Sequence, residues 1–156
     1  MGRVGKSLVQ NMVGKERILA VNANTVPVED LAKKGAEKAK VRYLIDERHE
    51  SNRFALRQYT VEKGGHTPLD QHEYEHQVYV LSGRGLLREA EHSPVLRELR
   101  EGDVLFIPSN AVHQFINQSE EPFVFLCVKG NPKLYASEAE GRKQSATSHD
   151  SDDKFC

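Results

Sequence analysis

"HTPLDQHEYEHQVYVLSGRG", residues 66–85, places His66, His72 and His76, three of the chain's seven histidines, within eleven residues, beside Asp70 and before an apolar run. The run QVYVLS has the β-branched and aromatic content of a strand, and strand geometry then decides which polar side chains can meet. Residues two apart share a face, so Asp70 and His72 project the same way and both can reach one ion. His66 has the same parity but lies six residues earlier, about 20 Å away along an extended chain. It stays out of that group unless the chain bends at Thr67 and Pro68. His76 and Gln77 are adjacent and face opposite sides of any regular strand, so only one of them points at Asp70 and His72.

A fourth group comes from GDVLFIPSNAVHQFIN, residues 102–117. Gly102 opens a turn, VLFI reads as a buried strand, Pro108, Ser109 and Asn110 make a second turn, and VHQF starts another strand. His113 then projects from one face of an apolar strand, where an imidazole needs a partner. Phe115 and Asn117 share its parity and are expected to line the same pocket, while Tyr79 and Leu81 share the parity of Gln77.

The rest of the chain supports a single module. With 156 residues it can bury a core without disulfides. Between residues 41 and 129, short runs rich in β-branched and aromatic residues recur every eight to twelve positions: VRYLI, RFALRQYTV, QVYVLS, GLLREA, PVLRELR, DVLFIP, AVHQFIN and FVFLCVK. That spacing predicts an all-β sandwich or barrel of the jelly-roll kind. Residues 1–40 are expected to form an N-terminal arm, with a short helix over VEDLAKKGAEKAK, residues 28–40, which is rich in Ala, Lys and Glu. Residues 41–130 are the barrel, and residues 131–156 read as a polar tail too poor in apolar side chains to order.

Composition narrows the function. The formal net charge is −1 and neither half is strongly basic, so no nucleic-acid partner is expected. Apolar stretches are short and broken by charges, which excludes a membrane span and a signal peptide and predicts a cytoplasmic protein. Cys127 and Cys156 are too few for a disulfide framework and are expected to stay reduced. The stretch GRVGKS, residues 2–7, lacks the strand that leads into a phosphate-binding loop.

In order and spacing, the two histidine-bearing stretches resemble the two motifs of the cupin superfamily, in particular its small, single-domain, metal-binding members. The first motif runs G, five residues, H-x-H, three or four residues, E, six residues, G; Gly64, Asp70, His72, Gln77 and Gly83 occupy its positions. The second runs G, five residues, P-x-G, two residues, H, three residues, N; Gly102, Pro108, His113 and Asn117 fit it, with Asn110 in place of a glycine, an exchange that suits φ > 0.

The resemblance implies one jelly-roll barrel, a double-stranded β-helix, holding one divalent metal ion: iron, manganese, nickel or zinc. Asp70 stands where the first histidine belongs and Gln77 where the glutamate belongs, and some small cupins use the histidine one place earlier, so His76 rivals Gln77. A carboxylate buried in a barrel is costly unless it coordinates, which favours Asp70 as a ligand. Asp70, His72 and His113 would form a two-histidine, one-carboxylate set with open positions; His76 would extend it. Losing two of the usual ligands can also mark a barrel that no longer holds metal.

Arg57 alternates with Gln58, and parity leaves open which faces inward. An inward Arg57 clamps a carboxylate; an outward one lies in solvent, the commoner place for an arginine. The implied function is a metal-dependent enzyme on a small oxygenated substrate such as a dicarbonyl, an organic acid or an unsaturated sugar acid, of dioxygenase, decarboxylase or isomerase type. The alternative is a non-catalytic module that binds or senses a small ligand or a metal. By the same resemblance a homodimer is expected, with the arm packed across its interface.

Overall fold

A computed structural model of the chain describes residues 18–90 and 95–145. Besides 3-10 turns at Ala23–Thr25 and Glu47–His49, nine strands and one α-helix follow in order among these residues: β1 (Glu29–Asp30), β2 (Glu37–Ile45), β3 (Phe54–His66), β4 (His76–Ser82), β5 (Arg84–Glu89), β6 (Val95–Arg100), β7 (Val104–Ile107), β8 (His113–Ile116), β9 (Phe123–Gly130) and α1 (Pro132–Ser145). All pairings are antiparallel, in the order β6-β5-β8-β3-β9-β4-β7, with β2 and then β1 added alongside β3. The sheet curls so that one face encloses the core, the all-β jelly roll expected from the strand spacing.

The inner face is built in rows across neighbouring strands. Ala39, Val61 and Phe123 share the first row, and Val41, Tyr59, Phe125 and Val80 the second. All of these except Tyr59 are buried, and Phe115, Phe123 and Phe125 pack ring against ring with centroids 4.5–6.4 Å apart. Each such side chain contributes about 1.5–3 kcal/mol by leaving water. The third row is Tyr43, Arg57, Cys127 and Val78, and the fourth brings Lys129 beside His76. One end of the barrel is therefore apolar and filled, while the other carries the polar side chains.

Two turns fix this geometry. Gly83, between β4 and β5, has φ +80°, and a Cβ there would lie 2.1 Å from the Pro122 carbonyl oxygen, so only glycine fits. Asn110, with φ 64°, takes the left-handed conformation that the second motif demands.

Two segments differ from expectation. Over residues 28–40 there are strands β1 and β2 in place of a helix, because Leu31 hydrogen-bonds Ala39 and both pack on the core. A lone helix of that length is marginal in water, and pairing with β3 overrides the propensity of Ala, Lys and Glu. Beyond the barrel, α1 forms where a disordered tail was expected. Asn131 caps it by accepting the Lys133 N–H at 3.0 Å, Pro132 occupies the first turn, and the Tyr135 ring covers Gly130. The part of the tail from 146 onward, the arm before Ile18 and Cys156 lie outside the described residues.

Candidate metal centre

Three imidazoles converge at the polar end. His76 opens β4 with its side chain inward, in phase with buried Val78 and Val80; His113 opens β8; His72 sits in the loop from β3 to β4. One ring nitrogen from each lies within 4.8 Å of the others. Asp70 and His113 exchange backbone hydrogen bonds at 2.9 and 3.0 Å, which brings the first-motif loop to the start of β8.

The hydrogen bonds around the rings determine which nitrogens face inward. His72 Nδ1 lies 2.9 Å from the Tyr74 carbonyl oxygen and His113 Nδ1 lies 2.9 Å from that of Ala111. A carbonyl only accepts, so both Nδ1 atoms carry the proton and both Nε2 atoms present lone pairs. His76 Nε2 lies 2.7 Å from His72 Nε2, while its Nδ1 faces Cys127 Sγ at 2.9 Å. A shared proton, or a cation drawing all three lone pairs together, satisfies this arrangement. Anchoring the remote nitrogen on a carbonyl is also how ligating histidines are oriented, so the donor set fits a divalent metal.

Burial keeps the rings uncharged. It pushes His76 down to about 3, with His72 and His113 adding to the shift, and it lowers His72 and His113 as well. It pushes the Cys127 thiol up to about 12, so Cys127 meets His76 as a neutral group. The Tyr74 ring stacks on His72 at 3.8 Å and carries the Lys129 ammonium 4.6 Å from its centroid.

A cavity of about 280 Å³ adjoins this cluster, lined by His76, His113, Arg57, Tyr59, Phe115 and Cys127 among others. Phe115 takes the lining position that its parity gave. Arg57 faces inward, although the outer face is where most arginines lie; its neighbours across β2 and β9 are Tyr43 and Cys127. Asp70 lines the cavity, but its carboxylate pairs with Lys33 and lies outside the histidine group.

Three sequence expectations need correction. Gln77 is exposed on the outer face of β4, because His76 takes the inward phase with Val78. Tyr79 is 48% exposed on that same outer face. Asn117 is fully buried but away from the cavity; its amide donates to the Val61 and Glu121 carbonyls and its oxygen accepts from Ser119, fastening the turn before β9. Tyr43, Tyr59 and Cys127 were not anticipated as lining residues. The parity of Cys127 with Phe123 and Phe125 was the available signal.

Comparison with known proteins agrees with this architecture. A family profile described as the cupin domain matches residues 57–129. The polyketide cyclase RemF from Streptomyces resistomycificus superimposes with a TM-score of 0.69 and 31% identity, over 73% of this chain and 80% of that one. A predicted oxalate decarboxylase from Thermotoga maritima superimposes with a TM-score of 0.63 and 20% identity, over 72% and 99% of the two chains, a likeness of fold. Among curated proteins, the 1-methylthio-D-xylulose 5-phosphate methylsulfurylase of Rhodospirillum rubrum is 34% identical over 73 residues, which are 47% of this chain and 45% of that protein. The chain thus matches less than half the length of that relative. Among the described residues no helix is long and apolar enough to cross a membrane.

Proposed function

The chain belongs to the cupin superfamily, and from that premise we propose that it is a small metal-dependent enzyme acting on an oxygenated molecule in the cavity beside His72, His76 and His113. The observation that carries this reading is the convergence of three neutral imidazoles, two with Nδ1 tied to a carbonyl so that Nε2 presents its lone pair to the cluster. These histidines would hold one divalent ion, iron, manganese, nickel or zinc, which supplies a Lewis acid with exchangeable positions. Asp70 acts through its backbone bridge to His113, and its carboxylate stays with Lys33.

The chain's own groups do the positioning. Phe115 and Phe125 wall off water on the core side. Burial pushes Tyr59 up, so its hydroxyl, which accepts from Arg57 Nη1 at 3.1 Å, keeps its own proton to donate to a substrate oxygen. An inward Arg57 next to a chelating cluster favours an enzyme over a passive binding module, whose cavity would be filled by Tyr79, Leu81 and Phe115; Tyr79 and Leu81 instead lie on the outside. The relative named as a polyketide cyclase supports a substrate bearing carbonyl groups.

Pairing as a homodimer through the outer face of β3, β9, β4 and β7 belongs to the same reading. That face presents Leu56, Val128, Gln77 and Phe106, then Gln58, Leu126, Tyr79 and Val104, without a charge, in a chain of which 29% is charged. Four strands by two rows cover about 250 Å² at ordinary strand spacings, a third of the roughly 800 Å² per partner of a standard interface. The arm, with Ile18 95% and Val28 50% exposed, is the segment that supplies the remainder. A cytoplasmic location accords with the free thiol of Cys127.

Elemental mass spectrometry on untagged protein tests the metal. Near-stoichiometric metal in wild type, lost in His72→Ala and His113→Ala, is expected, and screening dicarbonyls, organic acids and unsaturated sugar acids then assigns the reaction as oxygenase, decarboxylase or isomerase. Wild type that takes up none of Fe(II), Mn(II), Ni(II) or Zn(II) overturns the reading.

A further inference from the structure

Arg57 is a cation of the cavity wall that no carboxylate among the described residues offsets, while Lys33 pairs with Asp70, and Glu29 and Asp30 line the same cavity. Its Nη1 donates to the Tyr59 hydroxyl, its guanidinium lies 5.3 Å from the Tyr43 ring centroid, and its buried Nε has no hydrogen-bond partner. Among the described residues no carboxylate pairs with it, whereas Arg48 pairs with Asp46, Arg97 with Glu89 and Lys33 with Asp70. A guanidinium drawn out of water without a carboxylate is costly, and the aromatic faces and hydroxyl around Arg57 return only part of that cost. The side chain nevertheless turns into the barrel, onto the wall of the cavity that also holds His76 and His113.

Strand register gives the separation. Arg57 is paired with Cys127, Cys127 with Val78, and His76 precedes Val78 by two residues. Two strand spacings and two residues set the Cα atoms of Arg57 and His76 about 12 Å apart on one inner face. A ligand between them meets a planar cationic fork at one end and the imidazole cluster at the other. The volume, about 280 Å³, lies just below the ~300–1,000 Å³ of pockets for drug-sized ligands, which sets a limit on the ligand's size.

We propose that Arg57 binds a carboxylate of the substrate, and that the substrate is a small organic acid carrying a second, oxygen-bearing end that faces His76 and His113. A planar, singly charged carboxylate matches one guanidinium fork, and the Tyr59 hydroxyl, bonded to Arg57 Nη1 at 3.1 Å, keeps a proton to donate to the same group. This rests on the metal-enzyme reading for the far end of the ligand, while the Arg57 end stands on the unpaired charge alone.

The test uses two acids that differ only at the end Arg57 would hold. Zn(II)-loaded wild-type protein is titrated calorimetrically with 2-oxoglutarate and with 2-oxopentanoate, whose terminal methyl replaces the distal carboxylate. Wild type is expected to bind 2-oxoglutarate at least tenfold more tightly. Arg57→Met should bring the two within about twofold, and Arg57→Lys should keep part of the preference. Metal stoichiometry and far-UV circular dichroism are read for every variant, so lost metal reports on the metal reading and lost discrimination with metal retained reports on Arg57. If wild type holds no metal, the pair is compared by ligand-observed NMR on the metal-free protein, where any preference for the dicarboxylate must still vanish in Arg57→Met. Equal affinities in wild type, or a preference that survives in Arg57→Met, overturns the proposal.

Discussion

Asn110 donates its backbone N–H to the carbonyl of His72 at 2.7 Å, so the turn leading to His113 also holds the loop that carries His72. The Gln71 side chain returns a bond to the Asn110 carbonyl at 3.0 Å. Two of the three histidines are therefore positioned by one backbone junction, and they move or stay together.

That junction depends on the left-handed backbone of Asn110, φ 64°. Asn110→Ala should lower stability by about 1 kcal/mol, because alanine lacks the short polar side chain that lets asparagine adopt the left-handed region, and should weaken metal retention because His72 is released. Asn110→Gly should leave both nearly unchanged. Thermal melting with parallel metal analysis distinguishes them, and equal behaviour of the two variants would show that the junction does not need this conformation.

Adjacent residues on β4 make a sharp contrast. His76→Ala should remove most of the bound metal, since its Nε2 lies in the cluster. Gln77→Ala should leave metal content unchanged, because that side chain is exposed on the opposite face. Metal-to-protein ratios for the two purified variants decide it; the reverse result would mean that β4 shifts by one residue when metal binds.

The metal-free protein should lose stability as pH falls below about 6.5. An unfolded histidine takes up a proton near that value, while burial holds His76 down to about 3 and lowers His72 and His113. Across that interval the unfolded chain binds more protons than the folded one, so the free energy of unfolding falls with pH. For His76 alone the slope approaches about 1.4 kcal/mol per pH unit. Urea midpoints at pH 7.5, 6, 5 and 4 should decline, and His76→Gln should flatten the decline; a constant midpoint would contradict the neutral, buried state of the ring.

Phe106 and Val104, 58% and 72% exposed, lie at the edge of the uncharged outer face. Phe106→Glu should convert a homodimer to a monomer by placing two charges in the interface, without lowering metal content. Light scattering at several protein concentrations measures this. A wild-type monomer at tens of micromolar would remove the dimer from the account.

Much of the barrel was legible because alternation and turn residues are local signals. The eight apolar runs between 41 and 129 correspond to β2–β9, and Asn110 announced its left-handed turn. The resemblance of the two motifs brought the three converging histidines together, but the choice between His76 and Gln77 needed the phase of β4, which the loop 73–75 conceals in sequence. Arg57 was ambiguous for the same reason: parity separates it from Gln58 without saying which side is inside. Residues 28–40 misled because their composition favours helix while their partner, β3, is remote in sequence. The helix α1 was missed because its stabilising features, the Asn131 cap and the Tyr135 contact with Gly130, depend on where β9 ends.

The inner rows run from phenylalanine at the closed end to arginine, cysteine and histidine at the mouth, which divides the sequence into two classes of tolerance. Changes at Val61, Phe123 or Phe125 are felt as folding yield whatever the substrate, whereas changes at Tyr43 or Arg57 leave the hydrophobic foundation in place. A library randomised only at Tyr43 and Arg57 should remain largely foldable, which makes this barrel a scaffold whose ligand preference can be redirected without first being stabilised.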